Sequence, residues 1–287
     1  EEIFKPLFPE GKKSGRPNAS IRILVAMSVL KEGFGCSDED LFEKCEFDLL
    51  TRKALGMELL TDVTPSIDTY YLFRRRICEY QERTGIDLMQ LCFEQLAGKH
   101  VHLLKISGKC VRMDSKLIGS NIARQSRYEL IHTTLVKFLK TCTLPHLSPE
   151  QEERAKEYLK EDSSKTVYRS DSDTLQSNLA RIGNFIMEML AVFPATSPAH
   201  DLLLRLFEEQ YVVMDGKAVL RDKKEVKADS LQNPNDPDAT YRAKNDQKVQ
   251  GYVTNITETV EEGKPNIITS VQVETAVFAD CHFLQEA

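Results

Sequence analysis

An α+β chain is what this sequence predicts, and three observations predict it. Apolar residues recur at helical spacing through the first hundred residues. The pattern then switches to period two over "CVRMDSKLIGSN", Cys110 to Asn121. After a second helical stretch of about ninety residues, two β-branched segments close the chain around a hairpin-like connection.

The helical part reads as short pieces in order. "GRPNAS" has turn and cap chemistry, and Ile23, Met27 and Leu30 follow at i, i+4, i+7 until Gly33 and Gly35 stop the helix. Ser37 with Asp40 forms a capping-box pattern that opens the next piece, carrying Leu41 and Phe42. "FDLLTRKALG" makes a third, ending at Gly56. The fourth starts at Ser66, sets Tyr70, Phe73, Ile77 and Tyr80 on one face, and closes at Gly85. A fifth, "IDLMQLCFEQLAG", turns Leu88, Leu91, Cys92 and Leu96 inward.

Past the alternating segment, Ile131, Leu135, Phe138 and Leu139 form one stripe. "SPEQEERAKEYLKE" is a polar helix with Ser148 as cap and Pro149 in its first turn. "SDTLQSNLARIGNFIMEMLAVF" and "SPAHDLLLRLFEEQYVV" complete the helical block. From Ser230 the chain reads as an Asn-, Asp- and Pro-rich loop, followed by strands "GYVTNITET" and "NIITSVQVET". Asp280, ahead of Phe283 and Leu284, reads as the N-cap of a last helix, a role favoured over metal binding. Asp236 and Asp238 read as turn formers.

Composition narrows the function classes. The chain has 287 residues, 41% apolar and 29% charged, as in an ordinary globular protein of about two domains. No stretch approaches the roughly 20 apolar residues of a membrane span, and no signal-peptide pattern opens it. Seven single cysteines without a CxxC pair argue against a zinc site or a disulfide framework and for a reducing compartment, the cytoplasm by default. Residues 1–126 hold 19 Lys and Arg against 18 Asp and Glu, while the remainder holds 19 against 26. Any nucleic-acid contact must therefore come from local patches. The opening inside an apolar segment without Met, and the close at "FLQEA", lead us to expect a piece of a longer protein.

Asp114 is the residue that asks for explanation, because Asp is disfavoured in strands. It alternates with Met113 and Ser115 and shares its side with Arg112 and Lys116. The plain reading is a solvated strand residue paired with one of those cations. The sharper reading is a carboxylate held rigidly for a divalent metal.

"GRPNASIRILVAMSVLKEGFGCSDEDLFEKCEFDLLTRKALG" and "PSIDTYYLFRRRI" resemble the InsH-like N-terminal domain of bacterial insertion-sequence transposases of the DDE class. "VRMDSKLIGSNIARQSRYELI" resembles the segment with their first catalytic aspartate, and "DPDATYRAKNDQKVQGYVTNITET" the stretch leading into their second strand. The resemblance implies a helical, DNA-binding domain over 1–100. It implies over 101–287 a partial ribonuclease-H-like mixed sheet interrupted by a helical insertion at 127–214. It implies Asp114 as catalytic and metal-binding residue, with Mg2+ or Mn2+ expected only once a second and third acid complete the triad. Without them this chain should be inactive alone. Arg74, Arg75 and Arg76 on the fourth helix, with Lys12, Lys13 and Arg16 ahead of the first, are the candidate DNA contacts. The implied partners are insertion-sequence ends and target DNA, with room for a second copy of the chain and with no membrane. The alternative is a non-catalytic DNA-binding or regulatory protein derived from a transposase.

Overall fold

A computed structural model describes residues 2–8, 19–141, 147–193, 197–244 and 247–286. It is α+β, as the sequence predicts, and divides into two compact units: Glu1–Gly108 with Glu261–Ile267, and Lys109–Val260 with Ile268–Ala287.

The first unit is built from capped helices. A 3-10 helix at Glu2–Leu7 precedes α1 (Ile21–Phe34), α2 (Asp38–Phe47), α3 (Leu49–Ala54), α4 (Ile67–Thr84) and α5 (Leu88–Leu103). The capping box forms as expected: Ser37 Oγ accepts from Asp40 N at 3.1 Å while the Asp40 carboxylate takes the Ser37 N–H. Leu24, Met27, Leu41, Cys45, Tyr70 and Phe73 interlock as the core, and Phe4 packs its ring 5.8 Å from Phe73. Ile77 and Tyr80 join that core from the face of α4 read in the sequence. On α5 the inward face differs from the expected one. Leu88 and Ala97 are buried, Cys92 is half-buried, and Leu91 and Leu96 are exposed. Burial follows i, i+4, i+9 here, so the apolar stripe is narrower than its leucines suggested.

Arg52 of α3, only 6% exposed, donates to the Cys45 carbonyl at 3.1 Å and to those of Leu59 and Asp62 at 2.9 Å each. One guanidinium thus ties α2, α3 and the segment after them together. Its planar fork suits several fixed acceptors at once.

The second unit joins a helical bundle to a sheet. It contains β1 (Val111–Gly119), α6 (Arg127–Leu139), α7 (Pro149–Lys160), α8 (Ser163–Arg169), α9 (Ser172–Val192) and α10 (Pro198–Gln210). These are followed by β2 (Tyr211–Met214), β3 (Lys217–Leu220), β4 (Thr240–Lys244), β5 (Gln247–Thr259), β6 (Ile268–Thr275) and α11 (Phe283–Glu286). Tyr128, Ile131, Leu135, Phe138, Phe185 and Ile186 lie at the centre of the bundle core.

Two elements correct the sequence reading. The tail of α10, expected to run helical through Val213, turns at Tyr211 into the two-stranded hairpin β2–β3. Asp215 and Gly216, both with positive φ, make its turn. The hairpin is held on α9: Tyr211 donates its hydroxyl to Leu179 O at 2.8 Å, and Ala218 N donates to Asn184 Oδ1 at 3.0 Å. Gly183 makes this possible, because a Cβ there would overlap the Tyr211 ring. Second, part of the expected loop is β4, a strand only because β5 offers it a partner.

In the main sheet β5 is central. Tyr252 pairs with Ile118 of β1 on one side and Thr275 of β6 on the other, while Gly251 pairs with Gly119 and with Thr240 of β4. So β4 and β6 follow one another along one edge of β5, and β1 takes the other. At Gly251 the β1 backbone passes so close that any Cβ would strike Ile118 O. Every described pairing is antiparallel, where a mixed sheet was expected. The short β5–β6 connection permits only that direction, and the long helical passage between β1 and β5 also returns antiparallel.

Candidate functional site

Strand alternation sets the geometry around Asp114. In the β1–β5 register Arg112 lies opposite Glu258, Asp114 opposite Ile256 and Lys116 opposite Thr254. These residues share one face, and Met113, Ser115 and Leu117 point to the other. Arg112 is engaged, its Nε donating to Glu258 Oε1 at 2.7 Å. Asp114 is exposed beside an isoleucine and makes no hydrogen bond or ion pair among the described residues. Asp114 is thus a solvated strand residue, as the plain reading has it, but the pairing with Arg112 or Lys116 does not form among the described residues: the cross-strand glutamate takes the Arg112 guanidinium.

The other candidate acids are held elsewhere. Asp280 does not cap α11, which begins three residues later. It lies 3.4 Å from Arg242 Nη1 and 3.5 Å from Lys244 Nζ. Burial alone would raise its pKa, but the Ser115 hydroxyl and those two cations outweigh it and hold the carboxyl below its ordinary range. Since Ser115 faces away from Asp114, Asp280 sits across the sheet from it. Asp236 accepts from the Ser120 and Tyr252 hydroxyls. Burial, reinforced by this carboxylate, pushes the Tyr252 phenol well above its usual value. Asp236 also belongs to the turn expected of it, its N–H donating to Asn233 O at 3.2 Å. Its partner Ser120 lies just past the end of β1, six residues from Asp114, or roughly 20 Å of extended chain.

Two-metal sites hold their ions ~3.5–4 Å apart, and Mg2+ wants about six oxygen ligands. Among the described residues no three His, Cys, Asp or Glu side chains gather for a metal. Asp114, a single carboxylate between Arg112 and Lys116, does not make a fitting Mg2+ site with the residues beside it.

In the first unit the arginine triplet divides. Arg74 lies 3.7 Å from Asp38 and over the Tyr70 ring, and Arg76 covers the Phe8 ring at 5.2 Å. Arg75 points outward, 68% exposed, with Glu79 at 3.5 Å one helical turn on. Lys12, Lys13 and Arg16 lie outside the described residues. The sequence reading missed Arg52, whose partners are backbone carbonyls and leave no residue pattern. Nor does the sequence single out Arg127, which is half-buried at the start of α6.

Among the described residues no helix is long and apolar enough to cross a membrane. Residues 1–76, from the 3-10 helix to Arg76 in α4, match a family model described as Transposase domain (DUF772). No curated protein and no solved structure matches the chain.

Proposed function

We propose that this chain is the DNA-handling part of an insertion-sequence transposase of the DDE class, with Asp114 as the first acid of its catalytic set. The match of residues 1–76 to a transposase domain carries the reading. Two features of the second unit support it. Asp114 stands at the middle of a strand, engaged by no neighbour among the described residues. Beside it β1 has one edge that no described strand occupies, where a further strand with further acids would pair. On this reading the second unit is a partial ribonuclease-H-like domain and α6 to α10 are its insertion. The first unit holds DNA. Arg75 is the triplet member best placed for a phosphate, because an exposed i, i+4 pair such as Arg75–Glu79 is worth only ~0.3–0.5 kcal/mol and is readily exchanged.

The test uses the product of the whole gene with insertion-sequence-end DNA and Mg2+ or Mn2+. Strand nicking that disappears in Asp114→Ala supports the reading. The alternative, a non-catalytic DNA-binding or regulatory protein, draws on the absence, among the described residues, of three metal-ligating side chains gathered together. Binding to end DNA unchanged by Asp114→Ala, with no nicking in either metal, would establish it instead.

A further inference from the structure

A cleft of about 500 Å3 opens in the second unit between the start of α6, the end of α10 and the 223–232 stretch. Ligand sites run from about 300 to 1,000 Å3, so it has room for a small molecule. Its walls divide by chemistry. Leu130, Leu231 and Tyr241 give an apolar floor, and Arg127, Lys223 and Lys227 give cations, with no acidic side chain in the lining.

Arg127 is the informative member. Its Nε donates to Gln210 Oε1 at 2.7 Å and its Nη2 to Gln210 O at 3.3 Å, both neutral acceptors. Burial lowers its pKa, and the nearby Tyr211 and Asp222 only partly offset this. A half-buried cation hydrogen-bonded only to neutral groups, with Asp222 as a partial and more distant counter-charge, gains from an anion that reaches it directly. Lys223 and Lys227 are exposed, with no ion pair among the described residues. A bare oxyanion would use these cations but leave the apolar floor idle. A phosphate joined to a flat heterocycle uses both, since bases stack on aromatic and apolar side chains.

We propose that this cleft binds a nucleotide, its phosphate against Arg127, Lys223 and Lys227 and its base against Leu231 and Tyr241. The nucleotide is either free or one residue of a DNA strand. The inference goes beyond the transposase reading and does not require cleavage.

The experiment measures binding of a fluorescent oligothymidylate to the 1–287 chain in EDTA. Competitors are thymidine monophosphate and inorganic phosphate, and the comparison protein is Lys223→Ala/Lys227→Ala. Both lysines are exposed, so folding should survive. The double variant should bind at least about tenfold more weakly, and its log–log salt slope should fall by about 1.4, as expected for two lost phosphate contacts on a single strand. An oligonucleotide that outbinds the monophosphate identifies a strand as the source. A monophosphate that binds through the lysines and is not displaced by the oligonucleotide identifies a free nucleotide. Inorganic phosphate competing as well as thymidine monophosphate overturns the proposal, as does a double variant that binds like the parent. Asp114→Ala should leave this binding intact, so loss of nicking and loss of nucleotide binding are separable results.

Discussion

Two arginines, one in each unit, show how differently the same side chain can be housed. Arg52 is enclosed: three carbonyls from two stretches of backbone face it, and it is 6% exposed. Arg127 is enclosed on one side only, by Gln210, and opens on its other side to a cleft lined by two more cations. A guanidinium whose donors are met by backbone serves the fold. One that shares a wall with Lys223 and Lys227 has donors and charge left for something else. Helix α6 repeats the contrast, carrying the open Arg127 and, five residues on, the enclosed His132, which donates Nε2–H to Tyr158 O at 3.1 Å.

The sharpest way to break the comparison is Arg52→Ala. Three carbonyls, one buried and two partly so, would lose a charged donor together, and we expect roughly 3 kcal/mol of lost stability by chemical denaturation. A loss below about 1 kcal/mol would mean that Arg52 is not the latch described. Gly183→Ala comes next. Its Cβ would push Tyr211 away from α9 and with it Gln210, the wall behind Arg127, at a cost of about 1–3 kcal/mol. Differential scanning calorimetry reads this, and an unchanged Tm would show that the hairpin tolerates displacement.

A smaller effect comes from acid. Burial holds the His132 pKa below its ordinary 6.5, outweighing Glu161, which pulls the other way. The unfolded chain therefore takes up a proton near pH 6.5 that the folded protein refuses. This contribution is fully present above that pH and lessens as pH falls toward the lower folded-state value. Urea midpoints should drop between pH 7 and 5, and His132→Gln should flatten that drop. An equally steep drop in the variant would assign the acid sensitivity to other groups. Smallest of all is Asp114→Asn, which removes a charge engaged by no described neighbour. Stability should stay within about 0.5 kcal/mol in the same urea titration, whatever happens to activity.

Much of this was legible because it is written locally. The capping box of Ser37 and Asp40, the stripe of α4 and the alternation around Asp114 each depend on residues a few positions apart. What was missed depends on distant partners. β4 is polar and becomes a strand only beside β5. The run of leucines in α10 hid the turn at Tyr211, although Asp215-Gly216 between valine-rich flanks is a hairpin signature that could have found it. The carbonyls around Arg52 and the open side of Arg127 have no sequence mark, because backbone acceptors and empty space are not residues. Asp280 misled for the same reason: its cations, Arg242 and Lys244, come from a strand that the sequence reading took for a loop.

The edge of β1 that no described strand occupies has a consequence for handling as well as for chemistry. An open row of backbone donors and acceptors invites a second β1 from another molecule and can seed aggregates. Charged side chains along such a strand act as gatekeepers, since two copies would bring their Arg112 and Lys116 groups together. Substituting Lys116 with valine would leave a cleaner-looking strand and a stickier protein.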